Sequence, residues 1–352
     1  MKKISLKDIA KAVGVSTALV SYVLNNKEKE ARVGKEIAEV IRKKAAELNY
    51  QPNQLAKSLK SGKSFTIGLI VADISNPYFA NLARTIEDEA KHHNYTVIFG
   101  SSDENKEKSL DLINVLIKRQ VDGFIIAPAE GTEAQMEYLK KSNIPFVLID
   151  RYFPQIENNY VVTNNFDAAY EATLHLLLQG YQKIGMVAYE SKLIHMQERI
   201  RGYQSALKDH QKGKPALKEV PYNKAAQEIP KKLDALIKGK GKVDALFFAT
   251  NTLSVHGLKY LNNQGLNVPN DIAVVCFDEG DAFDFFYCPL TFVKQPLVEL
   301  GRKAVSTLVE QINGTNLEKQ QLVLQSQLIV RASSKFRTNR ARKNELGGGD
   351  AA

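Results

Sequence analysis

The sequence predicts a small all-α module ahead of a long α/β body built on parallel sheets. Three observations predict it. The first sixty residues carry helix-period apolar spacing and no strand pattern. From residue 65 onward, apolar runs of five to eight residues alternate with helix-period stretches. Charge separates the two parts: residues 1–62 hold 13 Lys and Arg against 6 Asp and Glu, residues 331–352 hold 6 against 2, and the 268 residues between hold 29 against 31. A basic module on a near-neutral body is the pattern of a polyanion reader carrying a separate sensor, although solvated charged ends give the same count.

In the basic module, Leu6, Ile9, Ala10 and Val13 form one apolar helix stripe, and Gly14 breaks it. Ser16 stands where an N-cap opens a second helix that buries Leu19, Val20, Val23 and Leu24. Two short helices around a glycine turn make a helix-turn-helix. Ala10 permits a close crossing, Gly14 accepts a left-handed turn, and Val20 plugs the angle between the helices. A third helix is expected at about 35–48 with Ile37, Val40, Ile41, Ala45 and Leu48 inward. The exposed side of the second helix offers Thr17, Ala18, Ser21, Tyr22 and Asn25 to base edges, with lysines such as Lys2, Lys3, Lys7, Lys35 and Lys57 for phosphates. A three-helix bundle used for protein contact is the competing reading.

The runs LKDIAKAVGVSTALVSYVLN (6–25) and ELNYQPNQLAKSLKSGKS (47–64) resemble the DNA-binding head and hinge of the lactose-repressor (LacI/GalR) family of bacterial transcription regulators. The resemblance extends over nearly the whole chain. It implies a head over 1–51, with Ser16 and Tyr50 among its DNA-facing residues, and a hinge helix over 52–63 that orders on DNA. Asn53 and Ala56 would lie at the minor groove and Leu59 would wedge into the central base step. A helix with so few apolar groups does not pack alone in water, whereas two side by side on kinked DNA bury surface. Three departures stand out: Tyr22 replaces a common Arg, Val33-Gly34 replaces a Val-Ser cap, and the loop 26–32 carries extra charges. Gly62-Lys63-Ser64 imitates a phosphate-binding loop, but Lys57 stands where its first glycine belongs.

In the body, strands are expected at 65–73, 96–101, 123–128, 146–150, 160–163, 183–188, 245–249 and 273–278, with late strands at 291–294 and 322–330 returning to the earlier lobe. Helices are expected at about 78–93, 106–119, 132–142, 167–179, 196–210, 225–238, 252–263 and 297–313. The resemblance implies two doubly wound lobes, like those of periplasmic sugar-binding proteins, joined by three crossings and closing on a small molecule. The body then spans 64–340: lobe 1 at about 64–163 and 294–322, lobe 2 at about 164–290 and 323–340, and a flexible tail at 341–352.

Ligands in open α/β sheets bind beyond the carboxyl ends of strands. Ala72-Asp73, Asp150-Arg151, Asn164-Asn165, Asn251 and Asp278 stand there, and carboxylates or amides beside aromatics suit a polyol. The resemblance adds Tyr78 and Phe79, Arg199 three residues before Gly202, Gln295 at the last crossing, and Tyr222 as the second lobe's stacking aromatic. Two lost carboxylates, at Asn164-Asn165 and Asn251-Thr252, make the pocket less acidic than is usual. Arg151 and Arg199 then favour an anionic ligand such as a phosphorylated sugar, unless Arg151 is a surface or hinge ion pair. The aromatics Phe283, Phe285, Phe286 and Tyr287 read as packing, with ligand stacking second, Cys276 as an inert core thiol, and His195 as solvent-exposed, with a ligand contact the alternative.

No catalytic residue, cofactor or metal is assigned, since the six histidines have neither metal spacing nor a paired nucleophile. With 44% apolar and 25% charged residues, two cysteines, no apolar run of membrane length and no secretory h-region at the start, a cytoplasmic protein is expected. The resulting expectation is a homodimeric transcription regulator, most often a repressor in this family, whose partners are a pseudo-palindromic double-stranded DNA operator and a sugar-like effector. Its dimer contacts would come from helix 78–93 and neighbouring strand edges. A nucleobase- or nucleoside-responsive regulator is the alternative, and a cytoplasmic sugar-binding or sugar-processing protein is the alternative of another class.

Overall fold

The computed structural model describes residues 4–51, 62–238, 241–316 and 318–335. The chain divides into two compact units, residues 1–64 and 65–352.

The first unit holds α1 (Leu6–Val13), α2 (Thr17–Leu24) and α3 (Lys35–Glu47). Ser5 and Asp8 form a reciprocal capping box on α1, and Gly14 ends that helix at φ 77°, a conformation that glycine adopts without Cβ strain. The Ser16 hydroxyl accepts from the Leu19 amide at 3.2 Å and opens α2. Ile9, Ala10, Val20, Val23, Ala38, Ile41 and Ala45 form the core. Val40, expected inward, is half exposed, because α3 turns its Ala38, Ile41 and Ala45 face to the other two helices. Gly34 caps α3 without a side-chain bond.

The second unit contains two six-stranded sheets of the same pattern. Lobe 1 has β1 (Thr66–Val71), α4 (Pro77–His92), β2 (Thr96–Ser101), α5 (Lys106–Lys118), β3 (Gly123–Ile126), α6 (Glu133–Lys141), β4 (Phe146–Ile149) and β5 (Asn159–Thr163). Lobe 2 has α7 (Asn165–Leu178), β6 (Ile184–Tyr189), α8 (Ile194–Asp209), β7 (Ala216–Val220), α9 (Ala225–Ile237), β8 (Ala245–Phe248), α10 (Asn251–Asn263), β9 (Ala273–Phe277) and β10 (Thr291–Lys294). The chain then returns to lobe 1 for α11 (Leu297–Asn313) and β11 (Gln321–Leu324), and ends in lobe 2 with β12 (Gln327–Ile329). The sheet orders are β11-β5-β4-β3-β1-β2 and β12-β10-β9-β8-β6-β7. All pairings are parallel except β10 with β12. Helices cover both faces of the first sheet, which accounts for its two core clusters and its unbroken apolar strands.

This topology corrects the late strands. Strand β10 does not return to lobe 1: it pairs with β9, and the crossing follows it at Gln295-Pro296. The run 322–330 is two strands in two sheets, divided at Gln325-Ser326. Strand β7, unexpected from the sequence, is an edge strand whose Lys218 and Glu219 hide the apolar alternation. At the crossings, the Asn164 side chain donates to Gln325 Oε1 at 2.6 Å and accepts from the Ser326 amide at 2.8 Å.

Candidate functional site

Two surfaces gather the predicted residues. On the head, Lys7, Ser16, Thr17, Ala18, Tyr22 and Asn25 are exposed, and Ser21 is half-buried. Asn25 is folded back: its amide donates to the Ser21 carbonyl at 2.7 Å and so caps α2. Tyr50 is half-buried against the head core. The acidic residues of the loop 26–32 are engaged locally, Glu28 with Arg42 and Glu30 with Lys27. Asn53, Ala56 and Leu59 lie outside the described residues.

The second surface is a cleft between the two lobes, enclosing about 420 Å³ of empty space including its open mouth. Asp150 follows β4 and Asp278 follows β9, strands that hold the same place in their sheets. Both residues take left-handed backbone, φ 70° and 73°. Such conformations are uncommon outside glycine and are tolerated best by Asp and Asn. Each turns a carboxylate from its strand end into the cleft.

Gln295, on a crossing, joins the two halves. It donates from Nε2 to Asp278 Oδ1 at 2.6 Å, and its Oε1 accepts from the Thr163 hydroxyl. The Tyr78 hydroxyl donates to Asp150 Oδ1 at 2.8 Å, with Gln295 Oε1 at 3.4 Å. Burial first, then the Asp150 charge, holds the Tyr78 phenol well above its ordinary pKa, so it remains a donor. Burial likewise raises the Asp278 carboxyl, against the nearby Arg199 charge and its hydrogen bond from Gln295.

Arg199 lies flat on Phe277, 3.6 Å from guanidinium carbon to ring centroid. Its Nε donates to Asn165 Oδ1 and its Nη1 to the Ala249 carbonyl, both at 2.8 Å. Arg151 is buried and doubly bonded to Glu104, at 2.9 and 2.8 Å, with Asp150 a further 3.4 Å neighbour. It is an ion pair inside the cleft, neither at the surface nor a free cation. Phe79 packs edge-on against Tyr78 and near Arg151. Tyr222 reaches across the lobes to Asp73 Oδ2 at 2.5 Å, its ring 5.2 Å from Tyr189.

Two predicted residues stand back from the cleft. Ala72 is wholly buried, and its carbonyl accepts from the Glu104 amide at 3.1 Å. Asn251 opens α10, its amide 3.4 Å from Asp278 Oδ2 and its side chain on the Glu279 carbonyl. Sequence reasoning missed Asn76, Glu104, Tyr189 and Thr250, and placed His195 at the ligand only as the lesser alternative; all five line the cleft. His195 overturns its expected exposure: it is 8% exposed, and its Nδ1 has no hydrogen-bond partner among the described residues. Burial, then the charges of Arg151 and Arg199, holds its imidazole well below the ordinary pKa, hence neutral. A signal was present, because His195 precedes Arg199 by one helical repeat of four and shares its face. The aromatic run also divides: Phe283 is buried against Phe292, whereas Phe285 is almost fully exposed, so that position is not packing. Cys276 is a core thiol, pushed up to about 12 by burial.

Among the described residues no group of His, Cys, Asp and Glu gathers as metal ligands would, and no helix is long and apolar enough to cross a membrane. The cleft presents carboxylates, a guanidinium, an unpartnered imidazole nitrogen and tyrosine faces. Such a site recognises hydroxyl groups and the C–H face of a small ring.

Comparison with known proteins gives two family matches: bacterial regulatory proteins of the lacI family over residues 5–53, and the periplasmic binding protein-like domain over residues 173–334. A ribose operon repressor of Halalkalibacterium halodurans is 32% identical, over 94% of this chain and 97% of that protein. The transcriptional repressor PurR of Haemophilus influenzae is 30% identical, over 94% of this chain and 98% of that protein. Among solved structures, a LacI family regulator from Enterococcus faecium with bound ribose is 30% identical at a TM-score of 0.68, covering 78% of this chain and all of that one.

Proposed function

The chain belongs to the LacI family of bacterial regulatory proteins, and from that premise we propose a ligand-switched repressor whose effector is a monosaccharide held between the two lobes. The head reads operator DNA through the exposed face of α2, with Thr17, Ala18, Ser21 and Tyr22 toward base edges and Lys7 toward phosphate. Tyr22 supplies a hydroxyl and a ring rather than a guanidinium, so its base preference differs from an arginine–guanine contact. The expected hinge residues Asn53, Ala56 and Leu59 complete this reading at the minor groove. The protein acts in the cytoplasm as a homodimer on a two-fold operator. Dimer contacts are assigned to helix α4 and the neighbouring strand edges, among them edge strand β2, whose Ile98 and Phe99 are exposed.

One observation carries the effector class: Asp150 and Asp278 at matching strand ends, joined through Tyr78 and Gln295, with Arg199 beside them. Carboxylate acceptors at both ends and a planar donor in the middle match vicinal hydroxyls, and Tyr222 and Phe79 supply apolar faces. The ribose-named relatives support the same class. The test is a thermal-shift screen with free sugars, sugar phosphates and nucleobases, followed by operator binding with and without the hit. A neutral sugar raises the melting temperature of the wild type through binding linkage. Arg199→Ala removes that shift, as charged hydrogen bonds of about 1.5–3 kcal/mol are lost. A shift only with nucleobases overturns the sugar reading in favour of a nucleobase-responsive repressor, an outcome the PurR relative makes specific.

A further inference from the structure

We propose that Glu104 sets the charge selectivity of the cleft: by holding Arg151 in a closed ion pair, it restricts the site to uncharged sugars and rejects their phosphate or carboxylate derivatives. The inference rests on the sugar-effector reading above and adds the residue that governs which sugars enter.

Without Glu104, Arg151 would be an anion receptor. It is 3% exposed, lines the cleft, and stacks near Phe79. A buried guanidinium presenting two parallel N–H groups is the preferred partner of a carboxylate or phosphate. Glu104 already occupies that fork, with Oε1 on Nη2 and Oε2 on Nη1. A phosphate ester aimed at Arg151 would have to displace a protein carboxylate that is covalently fixed nearby. It would also meet the Asp150 and Asp278 carboxylates, which line the same cleft from opposite lobes. A sugar hydroxyl faces no such barrier, because Glu104 and Asp150 accept from it.

The loop that carries Glu104 is built to hold it in place. Asp103 and Glu104 are consecutive left-handed residues, φ 51° and 54°, a conformation that L side chains seldom adopt even singly. Their surroundings fix it. The Glu104 amide donates to the Ala72 carbonyl, and the Asn105 amide to the Ser102 carbonyl. The Asp103 carboxylate accepts from Ser101 at 2.5 Å and pairs with Lys108. Asn105 then caps α5 through the Lys108 amide at 2.7 Å. A strained pair held by this many bonds aims one side chain, and it is aimed at Arg151. The position is also that of Tyr222 in the other lobe: each follows the edge strand of its sheet, β2 or β7, and each contributes a cleft-lining side chain. One lobe places an aromatic face there, and the other places a charge.

The experiment measures affinities of ribose and ribose 5-phosphate by calorimetry for the full-length wild type, Glu104→Gln and Glu104→Asp. Circular dichroism and melting curves confirm folding. The wild type binds ribose and discriminates against the phosphate by about 30-fold or more, as expected for unscreened like charges in a partly buried site. Glu104→Gln keeps the shape, removes the charge and lowers that ratio at least about tenfold. Glu104→Asp keeps the charge and retains the discrimination, which separates charge from loop damage. Equal wild-type affinity for the two ligands overturns the proposal, as does a ratio unchanged in Glu104→Gln. If Glu104→Gln does not fold, Glu104→Ser takes its place as the charge-removing variant, with the same lowered ratio expected and an unchanged ratio overturning the proposal. A wild type that binds neither ribose nor any other neutral sugar overturns the effector reading itself, a failure visible before any variant is made.

Discussion

His195 shows how much a single side chain contributes here and how little of it the sequence reveals. Its ring shares the cleft with the buried guanidinium groups of Arg151 and Arg199, whose charges disfavour a third positive charge after burial has already done so. Its folded pKa therefore lies below the ordinary 6.5, whereas the unfolded chain titrates near that value. Between the two pKa values the unfolded state binds more protons, so stability is full above about pH 6.5 and falls as the pH drops below it. His175, half-buried with Ser334 Oγ at 2.7 Å, is shifted in the same direction. Thermal unfolding should therefore show a melting temperature that declines from about pH 7 toward pH 5, with a shallower decline in His195→Asn. An equal slope in the variant would place the loss elsewhere. The residues legible in advance were those whose type announces their chemistry at a strand end, as with Asp150 and Asp278. Glu104 was not legible, because it depends on a left-handed loop that local composition does not set, and His195 was legible only through its spacing of four from Arg199 on α8.

At the scale of elements, Gly202 explains how Arg199 reaches the cleft. Helices α7 and α8 approach so closely at that point that a Cβ on residue 202 would lie 2.2 Å from the Phe166 carbonyl oxygen and 2.9 Å from the Tyr170 nitrogen. These are backbone atoms, which do not move aside as a side-chain tip does. The close crossing is also what sets Asn165, at the start of α7, within 2.8 Å of Arg199. Gly202→Ala should separate the helices, destabilise the unit by about 1–3 kcal/mol and weaken effector binding, although residue 202 touches no ligand. Denaturant unfolding and calorimetry on the same variant check both effects. The elements themselves were largely readable, because period-2 and period-3.6 apolar spacing differ plainly in an α/β chain. The exceptions follow from position in the sheet. Strand β7 is a charged edge, and β10 was given to the wrong lobe because strand pairing across 15 or more residues leaves no local trace.

At the scale of the whole two-lobed unit, the lobes hold one another by contacts that no ligand need make. Leu193, in lobe 2, is buried in a cluster that otherwise belongs to lobe 1, with Ile70, Met136, Phe153 and Ile156. The neighbouring Lys192 amide donates to Glu130 of lobe 1 at 3.1 Å, and Tyr222 bonds Asp73 on the far side of the cleft. Apparent effector affinity depends on the population of the arrangement that binds, so contacts that favour lobe contact strengthen binding from a distance. Removing a buried leucine side chain forfeits about 1.5–3 kcal/mol of apolar burial, part of which the open arrangement never had. Leu193→Ser should therefore weaken effector binding about tenfold while leaving Arg199 and both carboxylates in place. It should also widen the time-averaged separation of the lobes, which small-angle scattering measures. If the effector acts by closing the lobes, the variant should need correspondingly more effector to switch operator affinity, with the effector-free operator affinity as the reference. Unchanged affinity with unchanged scattering would mean that the Leu193 contact is equally available in both arrangements and that lobe closure is governed by the ligand alone.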